Sequence, residues 1–539
     1  MKHPSRQTGS PRRASFALTV VGTLALALAG CSSNQGAAQS GSTSKPKEPA
    51  KITIGEAFEY PTDLEVPGLT GQLELSSTGP EARWSYLPGE QAFNPVLAAL
   101  VSDQLDAQAA SRDAVYFPEA HDRSAELLNR GCVAGSTALS AREILDDPTL
   151  SLPLDSQVQL TLTCEPVLAA GTTFAERIRV VRGNISDVVS DYVEVLYTDT
   201  ATGDVARGKD LFTEASLPVL LDALYTGLKL PAPMSGDEVL APSVDTLSDL
   251  HSSLYNVGFS DKGDIHVTVA GDFLSVIAAG NPNYQPKAET LVVPAERAEE
   301  LLTPLGQAIS KAKSEGLEWA GPAPLPSGQE FVDCDLVPCV AVTYDDGPSY
   351  LTPTVLDAYA GKDYAATTFY VLGQNIAGNE EILKRAVAEG HEIANHSWSH
   401  PAFTTLEDGQ IATQVGDTSA LIEEVTGQSV SYMRPPYGDM NERTRLAGGM
   451  PAILWTVDTN DWQHPGVESV VSQAIWNAVP DGIVLMHDIH DDTVAGAAQI
   501  VDGLLERGFT LVTTSQLFGT PPPVGSYFWD AEDVREARS

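Results

Sequence analysis

Between Cys339 and Val512 the chain alternates between two kinds of run. Strand-like apolar stretches occur at Cys339–Tyr344, Ala365–Val371, His391–Asn395, Ser431–Met433, Ala452–Val457, Gly482–His487 and Thr510–Val512. Helix-patterned stretches at Glu380–Ala388, Glu407–Thr426, Val467–Ala478 and Ala495–Arg507 separate them. Repeated βα units predict an α/β region with a mostly parallel sheet and helices outside it, here over residues 333–518. Roughly seven short strands suit a closed, distorted (β/α) barrel better than a long open sheet. Folds of this kind place their sites where strands end, so the strand ends are where chemistry is sought.

The chain before this region has a different character. Gly321-Pro-Ala-Pro-Leu-Pro-Ser-Gly328 marks a Pro/Gly linker over 321–332. Residues 52–320 mix helical spacing (Val96–Ala109, Leu217–Leu228, Ala295–Lys313) with strand alternation (Val158–Cys164, Val193–Tyr197, Ile265–Val269). They read as an α+β accessory region of one or two domains. His121, His251 and His266 lie far apart there, without partners at ligand spacing. The tail, 519–539, with Pro521-Pro-Pro523, is expected to be irregular.

The N-terminus carries an address. Lys2, Arg6, Arg12 and Arg13 precede an apolar run, Ala14–Leu28, which is short of the ~20 residues of a membrane span. The run ends Leu28-Ala29-Gly30-Cys31. This resembles the bacterial lipobox and implies a lipoprotein signal peptide, 1–31, with lipidation of Cys31 as the membrane anchor. Residues 32–51, rich in Ser, Gly, Gln, Lys and Pro, read as a flexible linker. The expected location is outside the bacterial cell membrane, facing the wall. A net charge of −40, from 72 acidic and 32 basic residues, argues against nucleic acid or anionic lipid head groups as partners.

Four further cysteines, Cys132, Cys164, Cys334 and Cys339, suit disulfides in an exported chain. Proximity favours Cys132–Cys164 and Cys334–Cys339 among three possible pairings. A zinc site is the alternative, without CxxC spacing to support it.

Six of the ten histidines lie between His391 and His490, and polar residues cluster at the strand ends. Asp345 and Asp346 follow the run Cys339–Tyr344, and Gly347-Pro348 terminates it. Adjacent carboxylates repel, so a cation is expected beside them, although an isolated Asp-Asp-Gly-Pro can equally be a capping turn. His396 and His400 follow the strand ending at Asn395. Their i, i+4 spacing puts both imidazoles on one face if the segment forms a helical turn. Two His and one Asp form a common catalytic metal set. Arg434-Pro-Pro-Tyr-Gly438 is stiffened by its prolines, which could aim the Tyr437 N–H at a substrate oxygen. Asp458-Thr-Asn-Asp461-Trp462 and Leu485-Met-His487-Asp488 end two further strands. Singly, each has a bland reading as a turn, a surface Arg or a capping His. Together they supply a metal set, a spare acid, an Arg and a distal His, the parts needed for metal-assisted amide hydrolysis.

The order Thr-Tyr-Asp-Asp-Gly-Pro, His-Ser-x-x-His, Arg-Pro-Pro-Tyr-Gly, Asp-x-x-Asp-Trp, Leu-x-His resembles the five motifs of the polysaccharide deacetylase family, the NodB-like homology domain of carbohydrate esterase family four. Tyr344 stands where that family more often has Phe. The resemblance implies a divalent metal, most commonly Zn2+, held by Asp346, His396 and His400. It implies Asp345 as the general base, acting on a metal-bound water that attacks an acetamide carbonyl. Arg434 would hold Asp345, the Tyr437 N–H would stabilise the oxyanion, and His487, tuned by Asp461, would protonate the leaving amine. Trp462 and Leu485 would wall the pocket for the acetyl methyl, and Asp458 would lie further out. Segments at 197–212, 259–264 and 276–280 resemble an extracytoplasmic module that precedes the catalytic domain of some Gram-positive wall deacetylases.

A lipid-tethered hydrolase outside a bacterial membrane meets peptidoglycan first, so the expected substrate is its N-acetylglucosamine. Chitooligosaccharide or acetylated xylan is the alternative within the class. A non-catalytic wall-binding or envelope-sensing lipoprotein is the alternative from another class.

Overall fold

The βα alternation produces a ring of parallel strands. In a computed structural model of the chain the described residues are 50–75, 80–121, 130–231, 234–235, 238–239, 242–279, 284–285 and 287–528. The segment expected to be the signal peptide, Cys31 and nearly all of the expected linker after it lie outside them. Strand Cys339–Asp345 pairs in parallel with Thr368–Val371 on one side and Gly482–His487 on the other. Thr368–Val371 pairs with Glu392–Asn395, and Asn395 bridges Met433, which bridges Ala452. One short extended stretch then closes the ring. Ala452–Ile453 sits beside Met433, and Val457–Asp458, a few residues on, pairs with Val484 and Leu485. Thr510–Leu511 wedges between the start of Cys339–Asp345 and Ala365. The architecture is therefore a distorted (β/α) barrel, closed by a strand that touches one neighbour at its start and the other at its end.

The tail differs from the sequence expectation at one point. Tyr527–Phe528 pairs in parallel with Ala452–Ile453, because the barrel leaves the outer edge of that short strand free to accept a partner.

Upstream, the strands are mostly antiparallel. A six-stranded sheet runs in the order Thr70–Leu75, Pro80–Tyr86, Gln159–Ala170, Thr173–Gly183, Val188–Asp199, Asp204–Arg207. Its one parallel pair is Pro80–Tyr86 with Gln159–Ala170. A four-stranded antiparallel sheet joins Thr53–Gly55, Glu289–Val293, Ile265–Val269 and Leu254–Phe259. The expected helix over Ala295–Lys313 is interrupted. Ala298–Leu301 stops, and Pro304–Ser314 restarts with Thr303 as its N-cap and Pro304 in its first turn. Proline fits a helix start and breaks a helix interior.

The described residues all fall within one compact unit, residues 49–539. Trp84, Tyr86 and Phe93 share one buried apolar cluster with Leu336, Ile483, Val512 and Phe518 of the barrel. Polar ties reinforce it: the Tyr116 hydroxyl donates to Leu336 O at 2.9 Å, and Arg130 donates to Phe509 O at 3.0 Å and Thr510 Oγ1 at 2.7 Å. These barrel residues include the strand starts, so the upstream sheet covers the end of the barrel opposite the strand ends. Cys132–Cys164 and Cys334–Cys339 are both disulfide-bonded. That leaves no thiolates there for the alternative zinc site.

Candidate active site and metal centre

Parallel pairing brings distant residues to one level. Asp345 ends its strand in register with His487 on one side and Tyr370 on the other. Side chains at matched positions of neighbouring parallel strands project to the same face, so Asp345 and His487 stand side by side at the barrel mouth.

Asp346, His396 and His400 converge just beyond. His396 Nε2 is 3.5 Å and His400 Nε2 3.4 Å from Asp346 Oδ1. They meet without the helical turn that the i, i+4 spacing suggested. Residues 396–400 form an irregular bend, with Ser397 at φ 74° and His400 at φ 63°. Asp346 (φ 71°) and Tyr437 (φ 61°) are also left-handed. Such backbone costs about 1 kcal/mol or more per residue outside glycine, and it persists where surrounding contacts over-determine it. Here it turns three short side chains toward one point.

The residues fit a divalent cation. Asp346 Oδ1 is buried and has no hydrogen-bond partner, although a buried carboxylate oxygen ordinarily has one. His396 Nδ1 lies 2.7 Å from the Arg434 carbonyl, which can only accept. The ring proton therefore sits on Nδ1, leaving the Nε2 lone pair aimed at Asp346. Burial pushes His396 down to about 3, so the imidazole is neutral, as a ligand must be. One carboxylate and two imidazoles form a set suited to zinc and its neighbours.

Arg434 is not a surface residue. It is fully buried, stacks on Tyr370 with 4.1 Å to the ring centroid, and donates to Ile453 O and Leu454 O. Its remaining reach goes to Asp345 Oδ1 at 2.7 Å and Thr343 Oγ1 at 2.8 Å. Burial pushes the Asp345 carboxyl up, and the charges of Arg434 and His487 oppose that rise. On the other side, His487 Nδ1 lies 2.8 Å from Asp461 Oδ1, and its backbone N–H donates to Asp461 Oδ2. Burial works against the charged imidazole, but the bond to Asp461 and its charge outweigh burial and raise His487 to about 9. Thr493 Oγ1 and the Trp462 N–H also donate to Asp461.

The remaining predicted residues are placed less uniformly. The Tyr437 ring meets His400 edge-on at 4.4 Å and is largely exposed. Leu485 is buried, whereas the Trp462 ring is half exposed. Asp458 caps its own turn through the Asn460 N–H. Sequence reasoning did not assign Ser349, Thr352 or Asp488, which pack around the Asp345–Pro348 turn. The one available signal was the acid following His487.

Comparison with known proteins points to one family. Residues 334–449 match the family model described as polysaccharide deacetylase. The chain is 36% identical over 197 residues to the peptidoglycan-N-acetylglucosamine deacetylase PgdA of Listeria monocytogenes, covering 36% of this chain and 42% of that protein. It thus spans about two fifths of that relative's length. It is 34% identical to a chitooligosaccharide deacetylase of Bradyrhizobium, covering 33% of this chain and 90% of that one. Among solved structures, the peptidoglycan deacetylase PdaC of Bacillus subtilis is 34% identical, covering 38% of this chain and 95% of that chain, with a TM-score of 0.34. The chain belongs to the polysaccharide deacetylase family.

Proposed function

We propose that the protein is a metal-dependent N-deacetylase of cell-wall glycan, acting on peptidoglycan N-acetylglucosamine. The observation that carries this reading is the paired arrangement at the barrel mouth. A carboxylate held by a buried guanidinium, Asp345 with Arg434, stands in register with an imidazole held by a buried carboxylate, His487 with Asp461. Both flank the Asp346–His396–His400 triad. A carboxylate placed to take a proton and an imidazole held protonated to give one are what amide hydrolysis needs, since water must lose a proton and the amine must gain one.

A divalent ion, Zn2+ in this reading, supplies a Lewis acid that lowers the pKa of water and polarises a carbonyl. The chain's own groups do the rest. Asp345 accepts the water proton on Oδ2, because Oδ1 is committed to Arg434. His487 holds a proton on Nε2 for the leaving nitrogen, because Nδ1 is committed to Asp461. The Tyr437 N–H donates to the developing oxyanion. Trp462 and Leu485 border the acetyl methyl. The products are acetate and a sugar with a free amine.

The choice of substrate draws on the names of relatives, which include a peptidoglycan-N-acetylglucosamine deacetylase, a chitooligosaccharide deacetylase and a bifunctional xylanase/deacetylase, and on the lipobox-like Cys31. A protein tethered there by lipid reaches the wall before any other glycan, with residues 52–320 as its accessory part. The test is acetate release from peptidoglycan, chitin oligomers and acetylxylan, with zinc and with chelator. Zinc-dependent acetate with new amines on peptidoglycan is expected. Acetate from xylan alone would move the activity to ester cleavage, and none from any substrate would remove the enzymatic reading.

A further inference from the structure

Strand pairing aligns Asp345 with His487 and stops there. Asp346 lies one residue past the last ladder pair, in left-handed backbone, so other contacts must hold the turn. On one side Asn375 Nδ2 donates to Asp346 O at 2.8 Å. On the other lies Asp488, fully buried and directly after His487. Its carboxylate lies flat beneath Gly347: a Cβ on Gly347 would sit 2.3 Å from Oδ2 and 2.4 Å from Oδ1. Only glycine permits that approach.

Two hydroxyls complete the contact. Thr352 Oγ1 donates to Asp488 Oδ2 and accepts the Ser349 N–H at 2.8 Å. Ser349 Oγ donates to the Asp488 carbonyl at 2.9 Å and accepts the Leu351 N–H at 3.0 Å. The segment that leaves the Asp345–Pro348 turn is thus bonded at two points to the residue after His487.

We propose that Asp488, acting through Thr352 and Ser349, is a positioning residue that clamps the Asp345–Asp346 turn to the strand end carrying His487. The clamp sets the distance between the metal ligand and the proton donor, two groups that backbone pairing alone leaves free to drift. Displacement of reacting groups by about 1 Å can cost on the order of a hundredfold in rate. The inference rests on the deacetylase reading for its kinetic consequence, and on the metal triad alone for its effect on cation binding.

Thr352→Val keeps the shape and removes the hydroxyl, Thr352→Ser restores it, and Asp488→Ala removes the acceptor. Each full-length variant is stripped of metal, titrated with Zn2+ against a chromophoric chelator, and assayed for kcat and KM on an N-acetylglucosamine oligomer. Thr352→Val and Asp488→Ala are expected to weaken Zn2+ binding by about 10- to 100-fold and to lower kcat by a similar factor. KM should stay within about twofold, and Thr352→Ser should stay near the parent. Unchanged Zn2+ affinity and kcat with only a lower Tm would overturn the clamp. So would Thr352→Ser failing as badly as Thr352→Val. If Asp488→Ala does not fold, Thr352→Val decides. If the parent releases no acetate, the deacetylase reading falls while the Zn2+ titration still judges the clamp.

Discussion

Glu176, in the upstream antiparallel sheet, and Asp345, in the barrel, are buried to the same depth. Glu176 accepts one hydrogen bond, from the Ser85 N–H at 3.1 Å, and its other oxygen has no partner. Burial pushes it up to about 8, so it is a neutral acid at neutral pH. Asp345 has a guanidinium on one oxygen and His396, of the candidate metal set, 3.7 Å from the other. The difference follows from what each residue is paired with. Glu176 lies inside its strand, between Pro166 and Leu196 of the neighbouring strands, which offer it no charge. In the parallel barrel every strand ends on the same side, and Arg434, His487 and the triad come together around Asp345.

If the barrel's buried charges are kept for chemistry, removing the cation should have the largest effect. Chelation is expected to reduce acetate release by about a thousandfold or more, restored by Zn2+, since metal Lewis acidity supplies several kcal/mol. Asp345→Asn is expected to cost about 10²–10⁴ in kcat while metal content, read by elemental analysis, stays at the parent level. Loss of metal as well would exchange the roles of Asp345 and Asp346.

The next effect is on pH dependence. If His487 acts in its protonated form, as proposed, its rise to about 9 means that kcat/KM should fall as pH rises through about 9. Asp461→Asn should move that limb down toward the ordinary histidine value and cost roughly tenfold or more at pH 8. The same shift stabilises the fold. The ion pair's contribution is fully present below the unfolded histidine pKa of about 6.5 and is lost as pH rises through about 9. An alkaline limb that stays in place in Asp461→Asn would detach the acid role from His487.

The smallest effect belongs to the upstream sheet. The folded state keeps a proton on Glu176 that the unfolded chain releases above about pH 4.5, so this residue makes the fold less stable as pH rises from there to about 8. Glu176→Gln should leave kcat unchanged and raise stability at pH 8 by on the order of 2 kcal/mol, measured by denaturant unfolding at pH 5 and pH 8. A loss of activity would show that the upstream sheet shares in the site.

Several of these features were legible in the sequence and others were not. The alternation after Cys339 predicted parallel strands, because a run buried on both faces looks the same wherever it pairs. The triad was legible from residue types and order. Its local backbone was misread, because i, i+4 spacing carries no information about the left-handed residues Ser397 and His400. The split helix after Ala295 was marked by Thr303-Pro304, a helix-start signal inside an otherwise continuous pattern.

The sequence by itself determined which groups could take part, since the chemistry demands Asp, His and Arg and local patterning put them at strand ends. Only the tertiary structure decided what each group can do. The Arg434 carbonyl, 38 residues away, selects the His396 tautomer. Arg434 reaches Asp345 across 89 positions, and Asp488 meets Thr352 across 136. Periodicity extends over a few residues, whereas protonation, tautomer and distance depend on what packs against a side chain from elsewhere in the chain.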